Sequence, residues 1–498
     1  MKSTNFLGCA VALCLTALTL RAQDTAEVER LRNELKQLQE NFAKVQQEQQ
    51  RQIDALSKKL EELTSAQAAA PSAGGQKTAE RQKLEQQLAA ELAAGSSTSK
   101  PGAAPTAPTP EVVTAAAPAT RAGSSYMNIS FGTLLDFGWS SDPDPSARLE
   151  LGDHDPKKRG FAMPNAEIAL NGAIDPYFEG FANIVLKLDQ NNETSIELEE
   201  AYLQSTSLPA NLQLKAGQFF ANFGRQNSQH PHTWGFVDAP IILTRAFGPD
   251  GLRSLGAQLS WLVPTPFYTE VFLGVLDGQG GTAFSFRNPG EPDASGVDRF
   301  AGRATLDRHL TGVQDLVFTP RIASSFELSD TQTLVAGLSG AFGPNNTEAK
   351  AHTEVYGVDL YWKWKPVNAK AGFPFVSWQT EALSRRFSAG ADATALPPLP
   401  AERLEDWGLY TQVLWGFEPR WVTGLRWDYA DGNTAAFDPL DPFRGQRWRI
   451  SPVLTFYPSE FSKIRLQYNY DHGEYFPAAN SLWMQLEFSL GAHAAHKF

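Results

Sequence analysis

The chain has 498 residues, 43 Lys and Arg against 55 Asp and Glu, a formal net charge of −12 and a mean hydropathy of −0.31. That length exceeds one compact soluble domain unless the domain is a large barrel. The acidic balance disfavours a nucleic-acid partner. After the first 20 residues no apolar run approaches the roughly 18 that a spanning helix needs.

In chain order, Lys2 and the apolar run Phe6 to Leu20, with Ala22 ahead of Gln23, read as a secretory signal over residues 1–22. Cys9 and Cys14 both fall inside it, so the mature chain is expected to hold no cysteine. A lipoprotein reading through either cysteine is weaker, because it leaves the apolar region too short. A secreted chain without disulfides needs another means of holding together, and a closed barrel is one.

Residues 24–64 read as a periplasmic coiled coil. Val28, Leu31, Leu35, Leu38, Phe42 and Val45 step by three and four; Ile53, Leu56, Leu60 and Leu63 resume the seam after a stutter near Gln49. Residues 65–125 form an Ala/Pro-rich linker with a short helix around Leu84 to Leu92; Pro101, Pro105, Pro108, Pro110 and Pro118 mark it as an extended tether.

From residue 126 to 498 the pattern becomes alternation, expected to give an all-β transmembrane barrel of 16 antiparallel strands (alternatively 18). The strands are placed near 126–139, 161–173, 176–190, 195–207, 211–219, 253–263, 267–277, 317–329, 331–342, 351–364, 373–387, 403–417, 419–430, 446–457, 461–471 and 482–492. Connections after even strands are short and often hold proline, as in Asp175-Pro176 and Glu418-Pro419; most of those after odd strands are longer. Short turns on one rim and long loops on the other is the asymmetry of bacterial outer-membrane barrels. Trp139, Trp362, Trp364, Trp407, Trp415, Trp421 and Tyr457 near strand ends suit an aromatic girdle. Trp421, Thr423, Leu425, Trp427 and Tyr429 are expected on the lipid face, and Gly424, Arg426 and Asp428 on the lumen face. The final strand ends on an aromatic, Phe498, as outer-membrane barrels present to their assembly machinery.

The stretch Phe161 to Pro264, with Glu199-Glu200-Ala201-Tyr202, Lys215-Ala216-Gly217-Gln218-Phe219 and Phe223-Gly224-Arg225-Gln226-Asn227, resembles bacterial outer-membrane general porins of the phosphate-selective porin O/P-like group. The ending Leu490 to Phe498 is also similar. The resemblance covers roughly residues 126–498. It implies a trimeric 16-stranded barrel with the third long loop folded inward as a constriction, and passive diffusion of small hydrophilic solutes. The arginine and lysine ladder of phosphate-selective members does not map onto this chain residue by residue. Outer-membrane lipid, lipopolysaccharide and the barrel-assembly machinery are the expected partners, and no cofactor is expected. Two rivals stand. One is a structural anchor whose coiled coil reaches peptidoglycan; the other is a hydrolase at the rim, although no catalytic elbow, phosphate loop or zinc-protease helix is present.

The connection 220–252 is more apolar than an exposed loop, with Phe236, Ile241, Ile242 and Leu243, and is expected to fold into the lumen. Its candidate constriction residues are Arg225, His230, His232, Trp234, Asp238 and Arg245. His230-Pro231-His232 is a weak metal motif, because it has no cysteine and no close carboxylate partner; the two histidines are expected to pack or hydrogen-bond inside the loop, and no metal is expected. The acids of Leu151-Gly152-Asp153-His154-Asp155 read as ordinary loop composition. By parity, Arg385, Arg420, Arg426, Arg447, Arg449, Lys463 and Arg465 face the lumen as a row of cations, with Glu381, Asp406, Asp428, Asp471 and Glu487 available to neutralise them.

Overall fold

The computed structural model describes residues 120–122, 125–189 and 191–491. The signal segment 1–22, the coiled coil 24–64, nearly all of the linker and Phe498 lie outside the described residues. The linker's last residues, Thr120–Ala122, form a short strand paired with Ser125–Met127.

Sixteen strands close into one antiparallel barrel, so the alternative of 18 does not hold. They are β1 Ser125–Ser140, β2 Gly160–Ala173, β3 Phe178–Leu188, β4 Thr194–Ser205, β5 Leu212–Phe220, β6 Arg253–Leu262, β7 Tyr268–Leu276 and β8 Val317–Ser329. The second half comprises β9 Gln332–Pro344, β10 His352–Trp364, β11 Phe375–Ala389, β12 Glu402–Glu418, β13 Trp421–Gly432, β14 Arg447–Ser459, β15 Ser462–Gly473 and β16 Ala479–Gly491. Each strand pairs with its sequence neighbours, and β16 returns to β1 in the register Ser130↔Gly491 to Ser140↔Ser481. Closure removes both sheet edges, so every strand finds partners within the wall.

Burial is inverted relative to a soluble sandwich. On β13, Leu425 is 53% exposed to the outside, while Arg426 and Asp428 are 1% and 0% exposed inside. The outer face carries Ile129, Leu214, Leu255, Leu338, Val358, Leu454 and Leu466 in the open; Trp139, Trp407 and Trp415 also stand exposed. An apolar exterior around a polar, charged interior is stable only where lipid is the outer solvent. Turns on one rim are as short as Pro419-Arg420 and Glu460-Phe461, whereas the opposite rim carries the loops 141–159, 221–252 and 277–316. The last holds a small three-stranded sheet, Glu291–Pro292, Asp298–Phe300 and Arg303–Ala304, whose strands are too short for periodicity to reveal.

A β-bulge on β4 changes which side chains reach the lumen. Asn183 on β3 pairs with Glu200, but the next residue, Ile184, pairs with Leu198, so Glu199 is the extra residue of β4. Strict alternation would send one of two adjacent glutamates to lipid; the bulge turns both into the lumen, where each is buried.

Candidate functional site

The interior is organised by the segment 221–252, which leaves the long-loop rim and packs inside the barrel. Gly224, at φ +58°, starts the inward turn: a Cβ there would lie 1.9 Å from Glu381 Oε2, and Gln226 N donates to Glu381 Oε1 at 2.8 Å. The short helix α1, Ile241–Phe247, is buried along its whole length. Ile241, Ile242, Leu243, Ala246 and Phe247 form an apolar core with Phe219, Phe223, Leu383, Tyr410 and Ala430. Each large apolar side chain buried there contributes on the order of 1.5–3 kcal/mol.

Against β11–β15 the segment is held by arginines and by polar wall groups. Asp238 is the common acceptor: Arg426 Nη2 donates to Oδ1 at 2.5 Å and Arg449 Nη1 to Oδ2 at 2.8 Å, while Gln467 and Asn469 add bonds of 2.8 and 2.7 Å. Burial alone would push the Asp238 carboxyl up, but the charges of Arg426 and Arg449 hold it down at about 2. Arg465 donates to the carbonyls of Phe236 and Trp234 at 2.8 and 2.7 Å, and Lys463 to that of His232 at 2.5 Å. Ile241 N donates to Asp428 Oδ1 at 3.2 Å. Arg245 on α1 makes a bidentate pair with Glu150, both bonds 2.7 Å.

The row of lumen cations is therefore present but largely committed. Arg385 pairs with Asp406 at 2.6 Å, Arg447 and Arg449 with Asp471 at 2.6 and 2.8 Å, Arg426 with Asp428 at 2.8 Å and Lys463 with Glu487 at 2.8 Å. Arg420 departs from the lumen position that parity predicts. The chain turns at Pro419-Arg420, Arg420 adopts φ +74°, and its side chain is exposed at the rim.

Against β2–β4 the same segment meets carboxylates. His230 Nδ1 lies 2.9 Å from Glu199 Oε2 and its Nε2 2.9 Å from Glu200 Oε2; His232 Nδ1 lies 2.7 Å from Glu167 Oε1. His154, from the loop 141–159, places Nε2 3.3 Å from Glu199 Oε1. The expectation that the histidines lack a carboxylate partner is overturned, because three distant glutamates converge on them through the fold. Burial would lower the His230 pKa, but its hydrogen bonds to Glu199 and Glu200 and their charges raise it well above the usual histidine value. The neighbouring acids of the 151–155 run are also engaged. Asp153 pairs with Lys157 at 2.7 Å and with Lys187, and Asp155 accepts from Gly152 N and Ala239 N at 2.6 and 2.9 Å.

Three cations lie apart from these networks. Lys215 sits over the Tyr202 ring at 4.4 Å, Arg225 over Tyr361 at 3.9 Å and Lys363 over Phe375 at 5.4 Å. Each is partly exposed, and none has an ion-pair partner among the described residues. Lys215 and Lys363 do not stand out in the sequence, because they lie apart from the row of charge on the final strands. On the long-loop side, a cavity of about 420 Å³ is lined by Glu150, Arg245, Arg385, Phe387, Phe443 and Arg444, among others.

No protein-family model matches the chain. A protein of Aquifex aeolicus (strain VF5), described as an uncharacterized protein, is 31% identical over 361 residues, which span 69% of this chain and 71% of its own. The outer membrane channel DcaP of Acinetobacter baumannii is similar in structure, with a TM-score of 0.50 at 10% identity over 75% of this chain and 100% of that one. Pseudomonas putida OprB gives 0.42 at 10% identity over 74% and 94%. The trimer form of OmpT, an outer membrane protein of Vibrio cholerae, gives 0.44 at 8% identity over 74% and 100%. At such identities structural likeness concerns the fold. The chain thus belongs to one family with the Aquifex aeolicus protein, and its closed 16-stranded barrel has the fold of outer-membrane porins.

Proposed function

We propose that the protein is an outer-membrane porin through which small hydrophilic solutes or ions diffuse passively, with the segment 221–252 as its constriction. The observation that carries this reading is the segment's position: it packs inside a polar, charged lumen and is bonded to both β2–β4 and β11–β15. A segment so placed narrows the cross-section and sets the size limit, while the remaining lumen charge sets ion preference. Arg225, His230, His232, Trp234, Asp238 and Arg245 are its positioning and lining residues. Because Arg385, Arg426, Arg447, Arg449 and Lys463 are paired to acids, Lys215, Arg225 and Lys363 carry what anion preference remains. Membership of the phosphate-selective porin O/P-like group, a trimer with an amino-terminal periplasmic coiled coil, and contacts with lipopolysaccharide, the assembly machinery and peptidoglycan complete the proposal. Single-channel recording in planar bilayers tests it: discrete conductance steps with weak selectivity in a salt gradient are expected. A folded barrel that passes no current would overturn the channel reading.

That silent outcome is what the second reading, a plugged structural anchor, requires. The closeness of the packing favours it: Arg426, Arg447, Arg449 and Arg465 are at most 1% exposed, as though this half of the lumen were sealed.

A further inference from the structure

The β2–β4 wall differs chemically from the rest of the lumen. Its buried acids, Glu167, Glu199 and Glu200, find histidine as their ion-pair partner, and among the described residues no Lys or Arg side chain pairs with them. The potential ligand atoms of Glu167, Glu199 and His230 all lie within 4.8 Å of one another. This exceeds an acidic cluster, because each of the three has its remaining atom oriented by a further residue. His230 Nε2 faces Glu200 at 2.9 Å, leaving Nδ1 toward Glu199; Glu167 is held by His232 at 2.7 Å; Glu199 meets His154 through its other oxygen at 3.3 Å. His154 is fixed in turn by the Pro164 carbonyl, 3.3 Å from Nδ1, which can only accept. Such outer partners are the arrangement that orients metal ligands and raises their basicity.

One further observation points into the same place. Asn183 is 1% exposed and its Nδ2 lies 2.7 Å from Glu199 Oε2 and 3.4 Å from His230 Nδ1, yet its Oδ1 has no hydrogen-bond partner. Turning that amide over, an exchange invisible to shape, would aim the orphaned oxygen at the convergence point.

We propose that Glu167, Glu199 and His230, with the amide oxygen of Asn183, bind a divalent first-row transition-metal ion, Zn²⁺ foremost, which fastens the inward segment to the β2–β4 wall. One imidazole nitrogen with carboxylate and amide oxygens is a donor set that Zn²⁺, Co²⁺ and Mn²⁺ accept. The neighbouring group Asp153, His154 and Asp250 is a poorer host, since the ammonium groups of Lys157 and Lys187 already contact Asp153.

The test uses full-length protein in detergent, stripped with chelator and titrated with Co²⁺ and with Zn²⁺. Visible absorption reads the first and metal content after dialysis the second. One ion per chain is expected in the wild type and in His309→Ala, which removes an exposed histidine far from the cluster in sequence. Glu199→Gln and His230→Gln should each weaken binding at least about tenfold. Should either fail to form a heat-modifiable barrel, Glu167→Gln, which leaves the His230–Glu200 contact in place, must show the same loss. Wild type that takes up no saturable ion, or folded variants that bind as tightly as wild type, would overturn the site. No conductance enters these readouts, so the result stands apart from the channel reading.

Discussion

The β11–β15 wall and the β2–β4 wall grip successive stretches of one segment, and they use different cations to do it. At Asp238 the partners are Arg426 and Arg449; at Glu167, Glu199 and Glu200 they are histidines. Arginine never surrenders its proton in a protein, so the cations of the first grip keep their charge at any ordinary pH. Histidine can lose a proton or exchange it for a metal, so the second grip is adjustable. One wall holds the segment with permanent cations; the other holds it with cations that can titrate.

The largest expected effect comes from removing what both walls hold. Trimming residues between Asn227 and Arg245 should raise single-channel conductance several-fold. An unchanged conductance would mean that the segment does not limit the pore, and the contrast between the walls would lose its functional point.

Next comes the keystone. Asp238→Ala strands Arg426 and Arg449 without their shared acceptor, and removing one partner of a buried ion pair costs about 3–5 kcal/mol. His232→Gln keeps a hydrogen-bonding side chain opposite Glu167, so about 1 kcal/mol is expected there. Denaturant midpoints of the two folded variants measure the difference. Equal losses would show that the two walls are mechanically alike.

Acid tests the Asp238 grip. The Asp238 pKa is lowered from 3.8 to about 2, so its contribution to stability is fully present above the higher value and is lost as pH falls through the lower one. The thermal midpoint should therefore stay level down to about pH 4 and drop between there and about pH 2, from the same two values. Asp238→Asn should flatten that drop; an unaltered acid limb would assign it to other carboxylates.

The smallest effect concerns ion preference. Lys215→Gln with Lys363→Gln should move the reversal potential in a salt gradient toward cation preference, because neither lysine has an ion-pair partner among the described residues. Arg465→Gln removes a group whose bonds go to the Gln485 side chain and to carbonyls of the inward segment. It should alter conductance more than selectivity. A larger selectivity shift from Arg465→Gln than from the two lysines would reverse the assignment.

Much of the barrel is legible in the sequence because a strand's side chains alternate regardless of what surrounds it. The 16 strands, their lipid-facing residues and the inward direction of Arg426, Asp428, Arg449, Arg465 and Asp471 follow from period two. Parity fails where the backbone breaks it. Arg420 lies in a turn rather than a strand, and the bulge at Glu199 brings two adjacent glutamates to one face. The apolar composition of 220–252 marks it for burial, since exposed loops have no need of Ile241, Ile242 and Leu243 together.

Sequence by itself determined the class of architecture, because apolar and polar periodicity are local and are imposed by the solvent on each side of a wall. Only the tertiary structure decided which charges meet. His154, Glu167, Glu199 and His230 are separated by 76 positions from first to last, yet closing the sheet places them on one patch of wall. The same closure brings Asp238 to Arg449, 211 positions later. Coulomb and hydrogen-bond interactions depend on distance in space, and sequence spacing carries no record of that distance until the barrel has closed.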